Sequence, residues 1–241
     1  MRINGFEKTT LVNFPGYVAC IIFTSGCNFN CDYCQNSMFI SGKEALLDEK
    51  EILEYLDKRK KILDGVVISG GEPTLQEDLI NFIEKVKSKG YKVKLDTNGH
   101  RPEVLKKLLD KNLIDYVAVD IKHTEKDYKK IIGNVKFDIK NIKETVKILK
   151  ESNIDYEFRT TIIKGFHTIN VIKDIIKFIG SDKNYYLQNF EDSEHVRNKS
   201  LLSFSEDELL NIYKEVKKDF PNISMRGLKN KLYEKEEIKN V

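Results

Sequence analysis

The stretch Gly26-Cys27-Asn28-Phe29-Asn30-Cys31-Asp32-Tyr33-Cys34 places three cysteines in eight positions, with the spacing C-x3-C-x2-C. Thiolates this close together cannot all point into an apolar core, and soft sulfur ligands converging on one point suit an iron–sulfur cluster or a zinc ion. Structural zinc closes with four ligands and an ordinary cubane cluster takes four thiolates, whereas this loop supplies three. A cluster held by three thiolates keeps one iron open. The loop therefore predicts a metal site that can bind a substrate or cofactor.

The fourth cysteine of the chain, Cys20, lies inside the apolar run Tyr17-Val18-Ala19-Cys20-Ile21-Ile22-Phe23. Free cysteine packs as a small hydrophobic residue, so we expect Cys20 in the core and not at the metal. Four cysteines with three of them clustered fit a reducing compartment and a metal site better than a disulfide scaffold.

The composition restricts the class of protein. The chain has 241 residues, 40% of them hydrophobic, and its 41 Lys and Arg nearly balance its 38 Asp and Glu. Charges of both signs alternate along the chain, which argues against a nucleic-acid groove, and no run approaches the roughly 18 apolar residues of a membrane span. We expect a cytoplasmic protein without nucleic-acid or membrane partners. It should form one domain over residues 1–228, with a core from about 16, a short strand or hairpin at 1–15, and a polar tail at 229–241.

Buried strands alternate with amphipathic helices along the chain. Helices are expected to begin at Asp48, at Thr74, at Pro102 and at Ser205, where capping residues or proline precede an apolar periodicity. This alternation predicts an α/β fold with a parallel sheet, either doubly wound and open or curved into a partial barrel. The predicted strands are residues 17–24, 65–68, 91–95, 116–121, 156–163 and 185–190, with a short strand at 2–8 and an edge strand at 223–226.

Polar motifs follow the first four of these six strands. The cysteine loop is the first, Ser69-Gly70-Gly71-Glu72 the second, Asp96-Thr97-Asn98-Gly99 the third and Asp120-Ile121-Lys122 the fourth. The carboxyl ends of parallel strands meet at one edge, where α/β folds place their sites. Two glycines allow the backbone to approach a ligand closely, and the carboxylate of Glu72 could accept from an ammonium group.

Each motif also has a purely structural interpretation. Taken alone, the Gly-Gly-Glu segment would be a strand-to-helix turn, and the segment from Asp96 to Gly99 an Asx-type turn. Arg159 would be costly to bury without a partner, so it either forms a salt bridge to a neighbouring strand's carboxylate or contacts a ligand. The four histidines are scattered without metal-ligand spacing, and we assign them no chemistry.

Taken together, the motifs resemble those of the radical S-adenosylmethionine (radical SAM) enzymes. The resemblance implies that Cys27, Cys31 and Cys34 hold a [4Fe-4S] cluster whose open iron binds the amino and carboxylate groups of SAM. It assigns Tyr33 to the adenine, and Ser69, Gly70, Gly71 and Glu72 to the methionine amine. The ribose and carboxylate of SAM would lie near Asp96, Thr97, Asn98, Asp120, Lys122 and Arg159, with a monovalent cation held by Asp96, Thr97 and Asp120.

Within that family, the chain most resembles the activating proteins of anaerobic ribonucleoside-triphosphate reductase. The segments that carry this resemblance include Asn13-Phe14-Pro15-Gly16, Tyr156-Glu157-Phe158-Arg159-Thr160-Thr161 and Leu187-Gln188-Asn189-Phe190. It implies a partial (βα)6 barrel and a reaction in which SAM is split reductively to a 5′-deoxyadenosyl radical, which then takes hydrogen from a glycine of a partner enzyme. An external electron donor such as flavodoxin or ferredoxin would supply the electron.

Two alternatives remain open at the level of sequence. One is a radical SAM enzyme acting on a small molecule, similar to the carboxydeazaguanine synthases, for which Gln188 and Asn189 are the only candidate pocket residues. The other is a non-catalytic metal-binding module, which would leave the Gly-Gly-Glu and Asp96 motifs unexplained.

Overall fold

The computed structural model describes residues 1–40, 46–180 and 185–227, so the predicted tail at 229–241 lies outside the described residues. It contains one sheet of eight strands that follow each other in chain order. The strands are β1 (Ile3–Thr10), β2 (Ala19–Thr24), β3 (Gly65–Gly70), β4 (Lys92–Thr97), β5 (Tyr116–Asp120), β6 (Asp155–Ile162), β7 (Tyr185–Asn189) and β8 (Ile223–Arg226).

The pairing of the strands selects the partial barrel over the doubly wound sheet. β1 runs antiparallel to β2, and every later neighbour pair from β2 to β8 is parallel. A doubly wound sheet reverses its strand order at a switch point, whereas this order never reverses. Within the described residues β8 pairs with β7 alone, so the barrel is open between β8 and β1.

Each of the strands β2 to β7 is followed by at least one helix, which confirms the six βα units predicted from the sequence. The helices are α1 (Glu49–Arg59), α2 (Leu79–Ser88), α3 (Pro102–Asp110), α4 (Tyr128–Ile132), α5 (Ile139–Glu151), α6 (Ile169–Ile179) and α7 (Glu206–Lys217). Three of the four expected starts are found, including a capping box between Ser205 and Glu208.

The start expected at Thr74 is wrong. Residues Pro73–Leu75 form a short 3-10 turn, and α2 begins only at Leu79. The backbone is extended at Gln76, with ψ 120°, so no α-helix continues from this turn, and Thr74 donates its backbone N–H and its hydroxyl to the carboxylate of Glu72. The chain after β3 is therefore organised by Glu72.

Apolar side chains fill both faces of the sheet and leave its carboxyl edge for the site. Cys20 is fully buried in the main core, as expected. A second cluster of Phe14, Ala19, Ile21 and Val67 closes the amino end of the barrel interior, where an added Cβ on Gly65 would lie 2.8 Å from the Phe14 ring. In the described part of the chain, no helix is both long and apolar enough to cross a bilayer.

Candidate functional site

A cleft of about 410 Å³ opens at the carboxyl edge of the sheet, and every site residue predicted from the sequence lines it. Glu7 in β1, Asn13 after β1 and Gln188 in β7 also line the wall; of these three, Gln188 was a candidate pocket residue in the sequence. The predicted residues brought together are Cys27, Cys31, Tyr33, Cys34, Ser69, Gly70, Gly71, Glu72, Asp96, Thr97, Asn98, Asp120, Lys122 and Arg159.

The two glycines of the Gly-Gly-Glu segment seat the start of the cysteine loop. Gly70 has φ +111°, and a Cβ added to Gly71 would lie 2.0 Å from the carbonyl oxygen of Gly26. The Glu72 N–H donates to that same oxygen at 2.8 Å. Only glycine tolerates this approach, because any side chain would collide with backbone. The Gly-Gly-Glu segment therefore positions the cysteine loop and also leaves the space in front of the loop free of side chains.

Glu72 is fully buried and ties the loop after β3 to the loop after β4. Its Oε1 accepts from the hydroxyl of Thr97 at 2.7 Å and from Thr74, while its Oε2 accepts from the N–H of Asn98 at 2.7 Å. Burial raises the pKa of the Glu72 carboxyl, and these donors oppose the rise. A carboxylate oxygen can accept more than one hydrogen bond, so Oε2 retains capacity for a ligand ammonium.

The cysteine loop is anchored by residues outside its own motif. Asn98 Nδ2 donates to Asn28 Oδ1 at 2.8 Å, and the N–H of Asn30 donates to the carbonyl of Ile132, at the end of α4, at 2.9 Å. Phe29, between the first two cysteines, packs edge-on against Tyr128 and Phe137. The loop is thus held from β4 and from α4.

Burial keeps the cysteine thiols protonated in the free protein. It raises the pKa of Cys27 to about 12 and that of Cys31 to about 11, and it raises the pKa of Cys34 as well. A soft metal must therefore displace protons when it binds. Among the residues that the structure describes, no three His, Cys, Asp or Glu side chains lie close enough together to hold a single metal ion.

The donor set nevertheless fits a [4Fe-4S] cluster with one open iron. Three sulfur ligands line one cleft, and the remaining cysteine of the chain, Cys20, is buried in the core. Thiolates are the usual ligands of iron–sulfur clusters, and three of them leave one iron for another ligand.

Two carboxylates at the cleft are held ionised by cations. Arg159 Nε lies 2.9 Å from Asp120 Oδ1, and its Nη1 lies 3.7 Å from Asp96 Oδ2. Lys94 pairs with Asp96 at 2.6 Å and Lys122 with Asp120 at 3.0 Å. Burial by itself would raise the pKa of both carboxyls, but these cations lower each below its ordinary value. Arg159 thus forms the salt bridges of its structural interpretation while also lining the cleft.

The barrel interior below the cleft also contains charged residues that none of the polar motifs includes. Glu157, which is 1% exposed, accepts from Arg226 at 2.7 and 3.0 Å and from the Tyr116 hydroxyl at 3.0 Å. A charged residue inside a strand predicted to be buried, such as Lys94 or Glu157, was the available signal. The partners of Glu157 come from β5 and β8, and no local sequence pattern reveals them.

A further residue missed from the sequence is Arg197, in the connection between β7 and α7. Its guanidinium donates to Asn30 Oδ1 at 2.6 Å and to the carbonyl of Cys31 at 2.9 Å. No motif surrounds it, so only the fold reveals that it reaches the cysteine loop.

The sequence of this chain is similar to those of known proteins. The sequence model of the radical SAM superfamily matches residues 21–179. A protein of Methanocaldococcus jannaschii, named as a proposed glycyl-radical enzyme activating enzyme, is 35% identical over 235 residues, covering 94% of this chain and 96% of its own. The 7-carboxy-7-deazaguanine synthase of Clostridium acetobutylicum is 26% identical over 69% of this chain and 77% of its own.

Solved structures give the same fold. The crystal structure of Streptococcus suis SuiB bound to S-adenosylmethionine superposes with a TM-score of 0.67 over 86% of this chain and 48% of that chain, at 17% identity. At this identity the likeness concerns the fold alone. It agrees with the partial barrel described above.

Proposed function

Because this chain belongs to the radical SAM superfamily and is therefore an enzyme, we propose that it is a glycyl-radical-enzyme activating enzyme. Membership implies a [4Fe-4S] cluster and SAM. The observation that carries the proposal is the meeting of three thiols, the Gly-Gly-Glu loop and two ionised carboxylates around one cleft. The likeness to the M. jannaschii protein supports it, since that likeness extends over almost the whole length of both chains. Its partner would be an anaerobic ribonucleoside-triphosphate reductase.

In this proposal Cys27, Cys31 and Cys34 hold the cluster. When bound, the reduced cluster and SAM supply the 5′-deoxyadenosyl radical that takes hydrogen from a partner glycine. The protein contributes position and electrostatics. The hydrogen bonds that Thr97 and Asn98 donate to Glu72 fix the loops after β3 and β4 before any ligand binds, so binding needs little further ordering of these loops.

The residues around the thiols have distinct proposed roles toward SAM. Glu72, through Oε2, and the segment Ser69-Gly70-Gly71 would bind the methionine amine. Tyr33 would contact the adenine, and Lys122 Nζ lies 5.8 Å from the centre of the Tyr33 ring. Asp96, Thr97, Asn98, Asp120, Lys122 and Arg159 would bind the ribose and carboxylate, and Asp96, Thr97 and Asp120 would hold a monovalent cation.

The paired charges of the interior favour a protein substrate over a small polar one. Arg159 is paired with Asp120, Lys94 with Asp96, and Arg226 with Glu157. A small-molecule pocket needs polar groups that are free to orient a ligand. Within the residues that the structure describes, the barrel is open between β1 and β8, and this opening would give a loop of a partner protein a lateral path to the cleft. The carboxydeazaguanine-synthase-like activity is the alternative.

The proposal includes an external electron donor such as flavodoxin or ferredoxin, a single domain over residues 1–228, and a cytoplasmic setting, whose reducing conditions keep the thiols available. It is tested by incubating the reconstituted protein anaerobically with SAM, a reductant and an anaerobic ribonucleotide reductase. A glycine-centred radical on the reductase, observed by electron paramagnetic resonance, is the expected result. Turnover of a deazaguanine precursor without any such radical would favour the alternative.

A further inference from the structure

The connection from β7 to α7 crosses the outside of the cysteine loop; we call its residues 191–200 the strap. Gln35 Nε2 donates to the carbonyl of Glu191 at 2.9 Å, and the N–H of Asn198 donates to the carbonyl of Asp32 at 3.2 Å. The Ser37 hydroxyl donates to the carbonyl of His195. The strap therefore contacts the loop between and beyond its cysteines.

Arg197 makes the strap's most specific contact. Its two terminal nitrogens donate to Asn30 Oδ1 and to the Cys31 carbonyl, so one planar group fixes two consecutive residues of the loop. A guanidinium presents its donors in a rigid fork that an ammonium group lacks. Substituting lysine would keep the charge but not this geometry.

The positive charge of Arg197 is not balanced by a carboxylate among its hydrogen-bond acceptors within the described residues. Both of its acceptors in the described part of the chain are neutral, whereas the charge of Lys122 is balanced by Asp120 at 3.0 Å. Because its Nη2 lies 2.9 Å from the Cys31 carbonyl oxygen, this charge lies next to the backbone of a residue proposed to hold the cluster.

We propose that Arg197 is a positioning residue for the cluster, holding the cysteine loop closed with its two hydrogen bonds and making the cluster easier to reduce with its charge. The inference rests on the proposed function only in requiring that this loop hold a [4Fe-4S] cluster. Reduction adds one electron from an external donor and breaks no bond of Arg197. A nearby cation stabilises the added negative charge, to an extent limited by solvent screening.

The test uses protein with a reconstituted cluster, without SAM or partner, and compares Arg197→Gln and Arg197→Lys with the wild type. Lys199→Gln is the matched control, because Lys199 lies in the same strap but pairs with Asp192 within it. Two quantities are measured: the midpoint potential, by redox titration followed by electron paramagnetic resonance, and the rate at which a chelator removes iron.

We expect Arg197→Gln to lower the equilibrium constant for one-electron reduction of the cluster about tenfold, which corresponds to a midpoint potential about 59 mV more negative. Arg197→Lys should keep the wild-type potential but lose iron several-fold faster, and Lys199→Gln should change neither quantity. If Arg197→Gln retains no cluster, the rate of iron loss from Arg197→Lys alone decides whether Arg197 positions the loop.

Two results would overturn the inference while leaving the proposed function intact. One is a potential of Arg197→Gln equal to that of the control, which removes the electrostatic role. The other is iron loss from both Arg197 variants at the control rate, which removes the positioning role. A wild-type protein that takes up no cluster would instead overturn the proposed function, and this inference with it.

Discussion

The carboxylate of Glu72 accepts a hydrogen bond from the backbone N–H of Asn98 at 2.7 Å, across the boundary between the loops after β3 and β4. This one bond joins the Gly-Gly-Glu segment to the Asp96 motif, which are separated by more than twenty residues of chain. Because Glu72 is fully buried, the bond is protected from competing water. The geometry of the cleft therefore depends on Glu72, whose carboxylate accepts hydrogen bonds from Thr74, Thr97 and Asn98 of the protein itself.

Replacing Glu72 with glutamine should therefore destabilise the protein even without ligand. The amide has a single acceptor oxygen, so its NH₂ group would face either the N–H of Asn98 or the donors of Thr74 and Thr97. Leaving a buried donor unpaired costs about 1–3 kcal/mol of unfolding free energy. Urea denaturation of Glu72→Gln measures this loss, with Glu144→Gln on the exposed face of α5 as the control. Equal stability of the two variants would contradict the assigned role of Glu72.

Gly71→Ala should prevent the cysteine loop from seating. The new Cβ would lie 2.0 Å from the carbonyl oxygen of Gly26, and backbone cannot yield as a flexible side chain does. We expect the variant to retain little iron after reconstitution. Gly90→Ala is a demanding control, since Gly90 has φ +91° but nothing within 4 Å of an added Cβ. If both variants bind iron as the wild type does, the close approach of Gly71 has no role in forming the site.

The buried His167 should make the protein less stable in acid. Burial lowers its pKa to about 4 from the ordinary 6.5, and its Nδ1 accepts from the N–H of Ile163 at 3.0 Å, which requires the unprotonated nitrogen. Between these two pH values the unfolded chain takes up a proton that the folded protein does not. The free energy of unfolding should therefore fall as pH is lowered from about 6.5 to about 4, by up to about 1.4 kcal/mol per pH unit.

His167→Gln should show a flatter dependence of stability on pH over that window than the wild type does. Denaturation curves at several pH values give this comparison. A slope unaffected by His167→Gln would show that other groups cause the acid sensitivity.

Removing Arg226 should cost more than removing the Glu157–Arg226 pair. Arg226→Met removes the bidentate partner of the buried Glu157 carboxylate. Because Arg226 is itself 37% exposed and Arg159 Nη1 stays 3.7 Å from Glu157 Oε1, the loss should be smaller than the about 3–5 kcal/mol of a fully buried pair. The double variant Glu157→Gln, Arg226→Met leaves no unpaired charge and should recover part of the loss. Denaturation of the two single variants and the double variant gives the coupling free energy. Strictly additive losses would mean that the two side chains stabilise the barrel independently.

Much of this fold could be predicted because its information is local. Apolar runs such as the one around Cys20 indicate buried strands, and the polar motifs that follow them must meet at one edge of a parallel sheet. The same reasoning predicted Asp120 at that edge, whereas Arg159, inside its strand, was left between a salt bridge and a ligand contact. Whether the sheet was doubly wound or a barrel could not be decided from strand periodicity, since both use the same βα unit.

The contacts that were missed are set by distant parts of the chain. Thr74 has the sequence pattern of a helix cap, but it donates to the carboxylate of Glu72 and the backbone is extended at Gln76, so the helix begins later, at Leu79. Arg197 reaches the cysteine loop from more than 160 residues away in sequence. Such partners depend on how the strands are arranged in space, which single-sequence patterns do not specify.

The most direct test of the central claim is anaerobic: reconstitute the cluster, add SAM and a strong reductant, and quantify 5′-deoxyadenosine. Cys31→Ala removes one proposed cluster ligand, and Cys20→Ala, in the core, is its matched control. We predict product from the wild type and from Cys20→Ala, and none from Cys31→Ala. Absence of 5′-deoxyadenosine from wild-type protein shown to hold a full [4Fe-4S] cluster would contradict the proposed function.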